Sequence, residues 1–477
     1  MASRAAAPLG PSIRPWVRRR ALGGARTIRS PPMSPRVIVI GGGYSGAMCA
    51  AHLVRHGCAV TVIEPRDRLG VGVAYGTSER GHLLNVVAGR MSAFTDRPDD
   101  FVEWASGSLG RSVSPDAFLP RRIYGEYVAH RVEEARRRAG AAFEHVRARA
   151  VEIAWHSGRL FVRMGAGEVV EGGACVVACG HGSPADPPVR FGAELYASGR
   201  YIRDPWRPDA FDGIGANEGV LVIGTGLTMI DMVIGLRARG HRGVVTAISR
   251  RGLTPRAHAS APTRPGGPCI VAGMGVRASV RALRSASEAL GWREAVDSVR
   301  PMIPEIWRAW SESDRRRFLH RARPYWDVHR HRCAPSVGAM LDAERAAGGV
   351  RILSGRLAGW RVESDGVVAV VAGRGTDEME EALGARVINC TGPCNDPRRS
   401  ADPLVRRMLA GGLCRADAHG LGVETDARGR VTGDGGAPLW CVGSWRAAQA
   451  WESVAVPELR AQAEAVAADV AREIGGA

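Results

Sequence analysis

The sequence predicts an α/β protein with two Rossmann-like dinucleotide-binding domains, the second inserted into a discontinuous first one. Two short apolar strands each run into a glycine turn and then a helix, at 36–48 and at 219–231. Each of these units continues into a second apolar strand, which completes a βαβ pattern. Two later segments, 173–180 and 385–392, repeat an apolar strand that ends in glycine. We interpret these endings as the places where the chain passes from one domain to the other.

The composition describes an ordinary globular chain of two or three domains. Of the 477 residues, 45% are hydrophobic and 24% are charged. No apolar run of about 18 residues is free of charges, so we expect no membrane span and no membrane partner. The net charge is +17, and the chain contains no lysine. That absence excludes Schiff-base chemistry and a Walker-type phosphate loop. Arginine in place of lysine throughout is weak evidence for nucleic acid, so no nucleic-acid partner is expected.

Residues 1–34 form an extension rich in alanine, proline and arginine. Its composition is typical of a disordered extension, of a start upstream of Met33, or of an organelle-targeting peptide. It lacks the long apolar region of a secretory signal. We therefore expect a cytoplasmic protein, with organelle targeting left open by this extension.

Ten cysteines are spaced irregularly along the chain. The pairs Cys175/Cys179 and Cys390/Cys394 each enclose three residues, so neither is a CxxC redox motif. Both pairs lie beside apolar strands, where small buried thiols are common. We expect neither a disulfide nor a metal site.

The first glycine turn has the features of a dinucleotide cradle. Gly41 makes the tight turn, Gly43 lets the backbone approach a pyrophosphate, and Gly46 lets the helix pack on the strand. The helix start offers free amides and partial positive charge to the phosphates. The next strand ends at Glu64, where an acid accepts hydrogen bonds from a ribose hydroxyl. The predicted contacts of this cradle are Gly41, Gly43, Tyr44, Ser45, Gly46 and Glu64.

The second unit repeats this plan with two changes. Gly224-x-Gly226 forms the turn, and Met229 replaces the third glycine, which sets helix and strand slightly further apart. The following strand ends in Ser249-Arg250-Arg251 rather than in an acid. A carboxylate there would repel a 2′-phosphate, whereas a guanidinium binds it with two parallel hydrogen bonds. The predicted contacts of this cradle are Gly224, Gly226, Thr228, Arg250 and Arg251.

Two cradles in one chain indicate hydride transfer between two dinucleotides. We assign FAD to the first cradle, whose second strand ends in an acid. We assign NADPH to the second cradle, with NADH as the alternative if its two arginines are merely solvated. The nicotinamide brings the hydride, and the flavin accepts it and performs the later chemistry.

These assignments and the strand endings set the expected domain limits. The first part of the FAD domain is expected at 35–216 and its second part at 378–477. The NADPH domain is expected between them, at 217–377, with a helical cap at 279–332 that contains several tryptophans. The last helix of the chain is expected at 457–474, where the apolar residues recur with helical spacing.

The chain resembles the flavoproteins with two dinucleotide-binding domains, and within them the bacterial FAD-NAD(P)-binding family. The matching stretches are VIVIGGGYSGAMCAAHL, HLLNVVAGRMSAFTDRPDDFVEWA, FLPRRIYGEYV, VLVIGTGLTMIDMVIGLRARGHRGVVTAISRRGLTPRAH, FLHRARPYWDVHRHRCAP and VPELRAQA. The wider class holds Baeyer–Villiger and N-hydroxylating monooxygenases and the disulfide reductases. By analogy, the resemblance implies oxygenation of a small, amino-acid-like nitrogen compound.

The resemblance also implies further flavin contacts. Asn85, Val86 and Met91 lie where the chain passes the isoalloxazine in such proteins, and the Asn85 amide is expected to hydrogen-bond a flavin carbonyl. An asparagine that only turns a loop is the alternative. Gly180, at the end of a strand, is expected beside the same cofactor. The last flavin motif usually ends in Gly-Asp, but here it is Gly443-Ser444, so a hydroxyl stands where a carboxylate normally holds the ribityl chain.

His329, Arg330 and His331 are the candidate catalytic residues. They follow Pro324-Tyr325-Trp326, which we interpret as a turn, and the two histidines would then share one face of an extended segment. They are expected to clamp a substrate anion or to donate a proton near the flavin. A solvated helical face is the favoured interpretation of the basic stretch 315–323, and no third ligand is evident that would make the two histidines a metal site.

Two tyrosines mark the start of a predicted helix in RRIYGEYV. Tyr124 and Tyr127 are expected to face different directions. One of them would line the pocket, or both would pack in the core. Core packing is the favoured interpretation of these side chains.

The leading interpretation is an FAD-dependent NAD(P)H oxidoreductase, a monooxygenase that acts through a flavin C4a-hydroperoxide. Its partners would be a small-molecule substrate and O2, and a homodimer is left open. One alternative is a reductase or electron-transfer flavoprotein that does not oxygenate. The other is a non-catalytic FAD-binding sensor or scaffold.

Overall fold

The structure is a computed structural model and describes residues 36–187, 189, 193–260 and 266–475. The predicted extension 1–34 lies outside the described residues. The strands are β1 Val37–Ile40, β2 Val60–Ile63, β3 Phe143–Val146, β4 Ala150–His156, β5 Arg159–Met164, β6 Val169–Gly172, β7 Ala174–Val177, β8 Tyr201–Ile202, β9 Val220–Ile223, β10 Val245–Ser249, β11 Val350–Val362, β12 Val367–Gly373, β13 Met379–Gly384, β14 Arg386–Asn389 and β15 Leu439–Cys441. The α-helices are α1 Tyr44–Arg55, α2 Gly72–Tyr75, α3 Asp100–Leu109, α4 Arg121–Ala139, α5 Ala193–Ala197, α6 Leu227–Ala238, α7 Val276–Leu290, α8 Trp292–Val299, α9 Ile303–Ala309, α10 Glu312–Arg317, α11 Arg323–Arg330, α12 Pro335–Ala346, α13 Pro403–Ala410, α14 Ala447–Ala450 and α15 Val456–Gly475.

A five-stranded parallel sheet in the order β15-β7-β1-β2-β3 forms the first domain. Alternate residues of β1 face opposite layers because side chains alternate along a strand. Val37 and Val39 pack against the layer that contains α1 and α15, whereas Ile38 and Ile40 pack against the antiparallel sheet β4-β5-β6. With both faces covered, all four residues of β1 are apolar and buried.

The second domain repeats this plan in a seven-stranded sheet, β13-β12-β11-β10-β9-β14-β8. Val220 and Val222 of β9 face the layer that contains α6 and α12, and Leu221 and Ile223 face the residues of the antiparallel extension β11–β13. The predicted fold class is confirmed: two α/β units share the chain, and β15 returns to the first sheet. Because β8 and β14 also join the second sheet, that sheet reaches beyond the expected range 217–377 at both ends.

The expectation that Tyr124 and Tyr127 face different directions is wrong. Both lie in α4, three residues apart, so they share one helix face. Both side chains are fully buried, and each ring centroid lies 5.0 Å from that of Phe101. The Tyr127 hydroxyl donates to Asp100 Oδ2 at 2.5 Å, and the Ala93 N–H donates to that hydroxyl at 3.0 Å. These tyrosines therefore form part of the core of the first domain.

Helices α7 to α12 fill the connection between β10 and β11. The stretch Pro324-Tyr325-Trp326, expected as a turn, lies inside α11. The π-helical segment Phe318–Ala322 connects α10 to α11. A proline inside a helix lacks an N–H and clashes with the carbonyl four residues earlier, and a wider π turn at that place relieves this conflict. Among the described residues, no helix combines the length and the apolar composition that a bilayer crossing requires.

We predict that Phe101→Ala strongly destabilises the first domain. The ring is fully buried between Tyr124 and Tyr127, so its removal leaves a cavity that costs about 3–5 kcal/mol. Thermal unfolding followed by circular dichroism measures the loss. The control is Leu383→Ala on the edge strand β13, where the side chain is 50% exposed and the expected change is about 0.5 kcal/mol or less. Equal shifts in the two variants would contradict the core assignment.

Candidate dinucleotide and active site

The first glycine turn has the shape of a phosphate cradle. Gly41 has φ +97°, and a Cβ there would lie 2.2 Å from the Ala178 carbonyl oxygen. A Cβ on Gly46 would lie 1.9 Å from the Gly41 oxygen, so neither position accepts a side chain. At Gly43 the nearest atom to such a Cβ is 3.6 Å away, so this position is the open one. No side chain caps α1, which leaves the N–H groups of its first turn, at Tyr44 and Ser45, for a ligand.

Glu64 lies buried at the end of β2, as the sequence predicts. Its Oε2 accepts the Gly42 N–H at 2.8 Å, and its Oε1 accepts the Arg66 N–H at 3.0 Å. These two bonds fix the carboxylate beside the glycine turn. Oε1 also accepts the Arg66 guanidinium at 3.4 Å, so Oε2 is the oxygen that keeps a lone pair for a ribose hydroxyl. Glu64 and the open face of Gly43 therefore fit the adenosine and pyrophosphate parts of FAD.

Gly180, Gly443 and Ser444 meet at the carboxyl ends of β7 and β15. The Ser444 hydroxyl donates to the Gly180 carbonyl oxygen at 3.0 Å and is buried. The Gly443 N–H donates to Gln462 Oε1 at 3.1 Å, a contact that the sequence does not reveal. Ser444 therefore joins the two loops by its own hydrogen bond, and the flavin contacts of Gly180, Gly443 and Ser444 stay predictions. It does not reproduce the free carboxylate of the usual Gly-Asp ending.

The segment expected at the isoalloxazine lies against the second domain. Met91 is buried, and Asn85 and Val86 are half-buried. The Asn85 carbonyl oxygen accepts a hydrogen bond from His258 Nε2 at 3.0 Å. Burial lowers the pKa of His258 to about 4, so this histidine is neutral near neutral pH. The flavin contacts of Asn85, Val86 and Met91 stay predictions.

The second glycine turn has the same shape as the first. Gly224 has φ +106°, and a Cβ there would lie 2.4 Å from the Cys390 carbonyl oxygen. Gly226 is exposed with no atom within 4 Å of its Cβ position, so a ligand has room to approach. Met229 is fully buried in the core of the domain, and Thr228 is half-buried at the start of α6. The Thr225 hydroxyl is 2.5 Å from the Leu253 carbonyl oxygen, which ties this turn to the loop after β10.

Arg250 and Arg251 follow β10, at the place expected for a 2′-phosphate. Arg250 is exposed, and neither arginine forms an ion pair within the described part of the chain. The Arg251 Nε is buried without a hydrogen-bond partner, and the guanidinium carbon lies 5.8 Å from the centroid of the Tyr325 ring. An unpaired buried donor costs free energy unless a ligand satisfies it. The two arginines therefore fit an anionic group.

The structure separates the three candidate catalytic residues, and the expected extended segment is wrong because α11 includes His329 and Arg330. His329 Nδ1 donates to the Tyr325 carbonyl oxygen at 2.8 Å, and its ring meets Trp292 edge-on. His331 Nε2 lies 4.0 Å from Asp327 Oδ1, and desolvation lowers its pKa. Arg330 forms an ion pair with Glu452 of the first domain. The catalytic roles of all three stay predictions.

Arg330 meets a polar cluster at the junction of the cap and the first domain. Its Nη2 lies 2.7 Å from Glu452 Oε2, and both side chains are about nine-tenths buried, at 11% and 7% exposed. Trp326 Nε1 donates to Glu452 Oε1 at 2.9 Å. The adjoining Ser453 is fully buried, and its hydroxyl has no hydrogen-bond partner among the described residues. Nothing in the sequence around WES signals this cluster, because its partners Trp326 and Arg330 come from one helix, α11, more than a hundred residues earlier.

The backbone beside this cluster is strained. Trp451 has φ +56° and ψ −69°, and the Glu452 N–H donates to the Ala450 carbonyl oxygen at 2.7 Å. This is a γ-turn with positive φ, a conformation that a large residue rarely adopts. The Trp451 ring stacks on Trp307 with centroids 5.0 Å apart, which holds the turn in place. Strain of this kind concentrates at functional sites, so it supports a role for this junction.

The comparisons with known proteins agree with this geometry. Residues 38–182 match the family model described as FAD-NAD(P)-binding. That match confirms the resemblance and the predicted cofactor classes, FAD and a nicotinamide dinucleotide. In fold, the chain is similar to the ornithine N-hydroxylase of Kutzneria sp. 744, with TM-score 0.64 and 16% identity over 92% of this chain and 99% of that one. It is also similar to an L-lysine 6-monooxygenase from Pseudomonas syringae, with TM-score 0.58 and 16% identity over 92% and 100%.

Other similarities are more distant or shorter. A thioredoxin reductase from Lactococcus lactis has TM-score 0.54 and 11% identity over 93% of this chain and 100% of its own. A Mycobacterium tuberculosis protein named as a flavin-containing monoamine oxidase, AofH, is 33% identical over 90 residues. The match covers 19% of the length of this curated relative. At such low identities the structural likeness establishes the fold, and the activity needs its own argument.

We predict that Gly41→Ala yields protein with little or no bound flavin. The added Cβ would collide with the Ala178 carbonyl oxygen, and the positive φ is unfavourable for alanine. The flavin-to-chain absorbance ratio of the purified protein measures the effect. The control is Gly107→Ala in α3, where no atom lies within 4 Å of the new Cβ and normal flavin content is expected. A yellow Gly41→Ala protein would contradict the placement of the cradle.

Proposed function

We propose that this FAD-NAD(P)-binding protein is an NADPH-dependent flavin monooxygenase that oxygenates a small substrate. The observation that carries the proposal is the contrast between the two cradles. The first ends in the buried Glu64, and the second ends in Arg250 and Arg251, with a buried guanidinium nitrogen unpaired. When bound, FAD supplies the redox chemistry, because it accepts a hydride from a nicotinamide and reacts with O2 once reduced.

The residues of the chain hold and orient the two dinucleotides in this proposal. The free amides at the start of α1 bind the FAD pyrophosphate, and Glu64 accepts the ribose hydroxyls. The Asn85 amide orients the flavin ring by a hydrogen bond to one of its carbonyls. Arg250 and Arg251 bind the 2′-phosphate that distinguishes NADPH from NADH.

A packed aromatic junction between the cap and the first domain supports oxygenation. Trp307 is 1% exposed and stacks on Trp451, and Phe318 meets the Trp451 ring edge-on at 5.2 Å between centroids. Aromatic side chains packed in this way exclude water. Exclusion of water suits an oxygenation, because water at the reaction centre promotes side reactions that release hydrogen peroxide in place of oxygenated product.

The substrate in this proposal is small and carries polar groups. The solved structures of similar fold include proteins named for the hydroxylation of ornithine and the oxygenation of lysine. The buried, unpaired Ser453 hydroxyl supplies a polar group at the cap junction that suits such a molecule. Amino acids and simple amines are therefore the first compounds to test.

Four buried cysteines are unsuited to the work of a dithiol reductase. Thiol exchange needs a thiolate, which a lowered pKa provides. Burial instead raises the pKa of Cys49, Cys414 and Cys441 to about 12 each. It also raises the pKa of Cys390 well above its usual value. Among the described residues, these thiols suit core packing.

We predict that NADPH bleaches the bound flavin in the absence of O2. Stopped-flow mixing of that reduced protein with O2 should then give transient absorbance, and added substrate should raise the ratio of oxygenated product to hydrogen peroxide. Fast anaerobic turnover with an artificial acceptor, without any oxygenated product, would identify a reductase instead. A yellow protein that NADPH does not bleach would identify a non-catalytic flavin-binding protein.

We predict that Arg251→Gln weakens NADPH but not NADH. The loss of a charge-assisted hydrogen bond to the 2′-phosphate costs about 1.5–3 kcal/mol, which raises the KM for NADPH by about tenfold or more. The KM for NADH should stay unchanged because NADH has no 2′-phosphate. The control is Arg242→Gln, an exposed arginine before β10, at the other end of the strand from Arg251. Parallel losses for both nucleotides would contradict the assignment.

A further inference from the structure

One loop of the first domain is held by the second domain at both of its ends. His82 is buried, and its Nε2 donates to the carbonyl oxygen of Asp231 in α6 at 2.9 Å. Because a carbonyl only accepts, the Nε2 carries the proton, and Nδ1 accepts the Thr77 hydroxyl at 2.8 Å. These two bonds fix the orientation of the ring. His82 of the first domain is thus hydrogen-bonded to α6, the helix that begins at the second cradle.

The opposite contact runs from the second domain to the first. His258 Nε2 donates to the Asn85 carbonyl oxygen at 3.0 Å, and its ring packs against Phe118 with centroids 5.1 Å apart. The two histidines therefore donate across the interface in opposite directions, to carbonyl oxygens on separate domains. On the first domain these two hydrogen bonds are made by His82 and Asn85, which are three positions apart in one loop.

Charged pairs and close backbone packing surround this loop. Arg121 Nη1 lies 2.8 Å from Asp231 Oδ2, with the two side chains 15% and 8% exposed. Arg239 Nη1 lies 2.7 Å from Glu79 Oε1. A Cβ on Gly81 would lie 2.6 Å from Ile234 Cγ2, so the loop backbone touches α6 directly. Separation of the domains here would leave buried polar groups unpaired, which is unfavourable.

The elements joined by these contacts are the two that carry the cofactors. Helix α6 begins directly after Gly226, five residues before Asp231. Asn85 begins the segment that runs to Met91 and is expected to pass the isoalloxazine. An aligned hydride transfer needs donor and acceptor held at a fixed distance and angle. A clamp at this place fixes one cofactor-bearing element against the other.

We propose that His82 and His258 form a reciprocal interdomain clamp, and that His258 is a positioning residue for hydride transfer from the nicotinamide to the flavin. This inference rests on the proposed function. The clamp itself makes and breaks no covalent bond: it holds the Asn85 loop while NADPH is oxidised to NADP⁺ and the flavin takes up the hydride. His258 touches neither reacting atom, and it acts through the backbone of Asn85.

The test compares two routes of electron delivery into the FAD-loaded protein. His258→Leu removes the donor, and His258→Gln keeps an N–H at the position of Nε2. We expect the anaerobic rate of flavin reduction by NADPH to fall by about tenfold or more in His258→Leu and to recover to within about threefold in His258→Gln. Reduction by dithionite needs no nicotinamide domain, so its rate should stay the same in all proteins. His56→Leu, an exposed histidine at the end of α1, is the matched control.

The outcomes separate this inference from the proposed function. If NADPH fails to bleach the wild-type flavin, the proposed function is wrong. If NADPH bleaches wild type and His258→Leu equally fast, the clamp is wrong while the function stands. If His258→Leu loses its flavin, His258→Asn replaces it, because asparagine keeps a neutral polar side chain that is too short to reach Asn85. Slow NADPH reduction in His258→Asn with rescue in His258→Gln supports the clamp, and equal rates in the two overturn it.

Discussion

Both cofactor sites depend on one steric constraint, a glycine at positive φ pressed against the carbonyl of a neighbouring strand end. A Cβ on Gly41 would collide with the Ala178 oxygen, and a Cβ on Gly224 would collide with the Cys390 oxygen. These carbonyls follow β7 and β14, which pair in parallel with β1 and β9 respectively. The end of the neighbouring parallel strand, β7 or β14, therefore limits the conformation of each glycine turn. That bend places the N-terminus of α1 or α6, and with it the free amides that face a phosphate.

The two domains share this turn but differ in the chemistry around it. In the first, Gly46 sits where a Cβ would lie 1.9 Å from the Gly41 oxygen, whereas in the second the matching Met229 is buried in the core. The strands after the two helices are followed by Glu64 in the first domain and by Arg250-Arg251 in the second. In a fold of this type that position faces the adenine ribose. In the proposed function, the charge at this position is the feature that suits the two copies to different dinucleotides.

Local patterns predicted the parts of the fold that local interactions determine. Apolar strands and glycine turns are short and continuous, so β1, α1, β9 and α6 could be identified from the sequence. The prediction for Tyr124 and Tyr127 is wrong because residues three apart in a helix lie on the same face. The π-helical turn that carries Pro324 into α11 has no local signature of comparable strength.

The contacts that the sequence did not predict join residues far apart in the chain. His82 and Asp231 are 149 positions apart, and Asn85 and His258 are 173 apart. A lone histidine beside apolar residues gives no indication of which carbonyl it will meet. Glu452 likewise depends on Trp326 and on the γ-turn at Trp451. Such pairs become visible only when the two domains and the cap are placed together.

These long-range contacts connect three bodies in a closed arrangement. The cap is held to the first domain by Arg330 and Glu452, a buried pair whose disruption leaves an uncompensated charge and costs about 3–5 kcal/mol. The second domain is held to the first by Asp231, through His82 and Arg121. The cap is inserted between β10 and β11 of the second domain. The two attachments therefore join the second domain and its cap to the first domain at two separate places. A rotation of the second domain would have to break both at once, so the arrangement favours a fixed meeting point for the two cofactors over alternating domain positions.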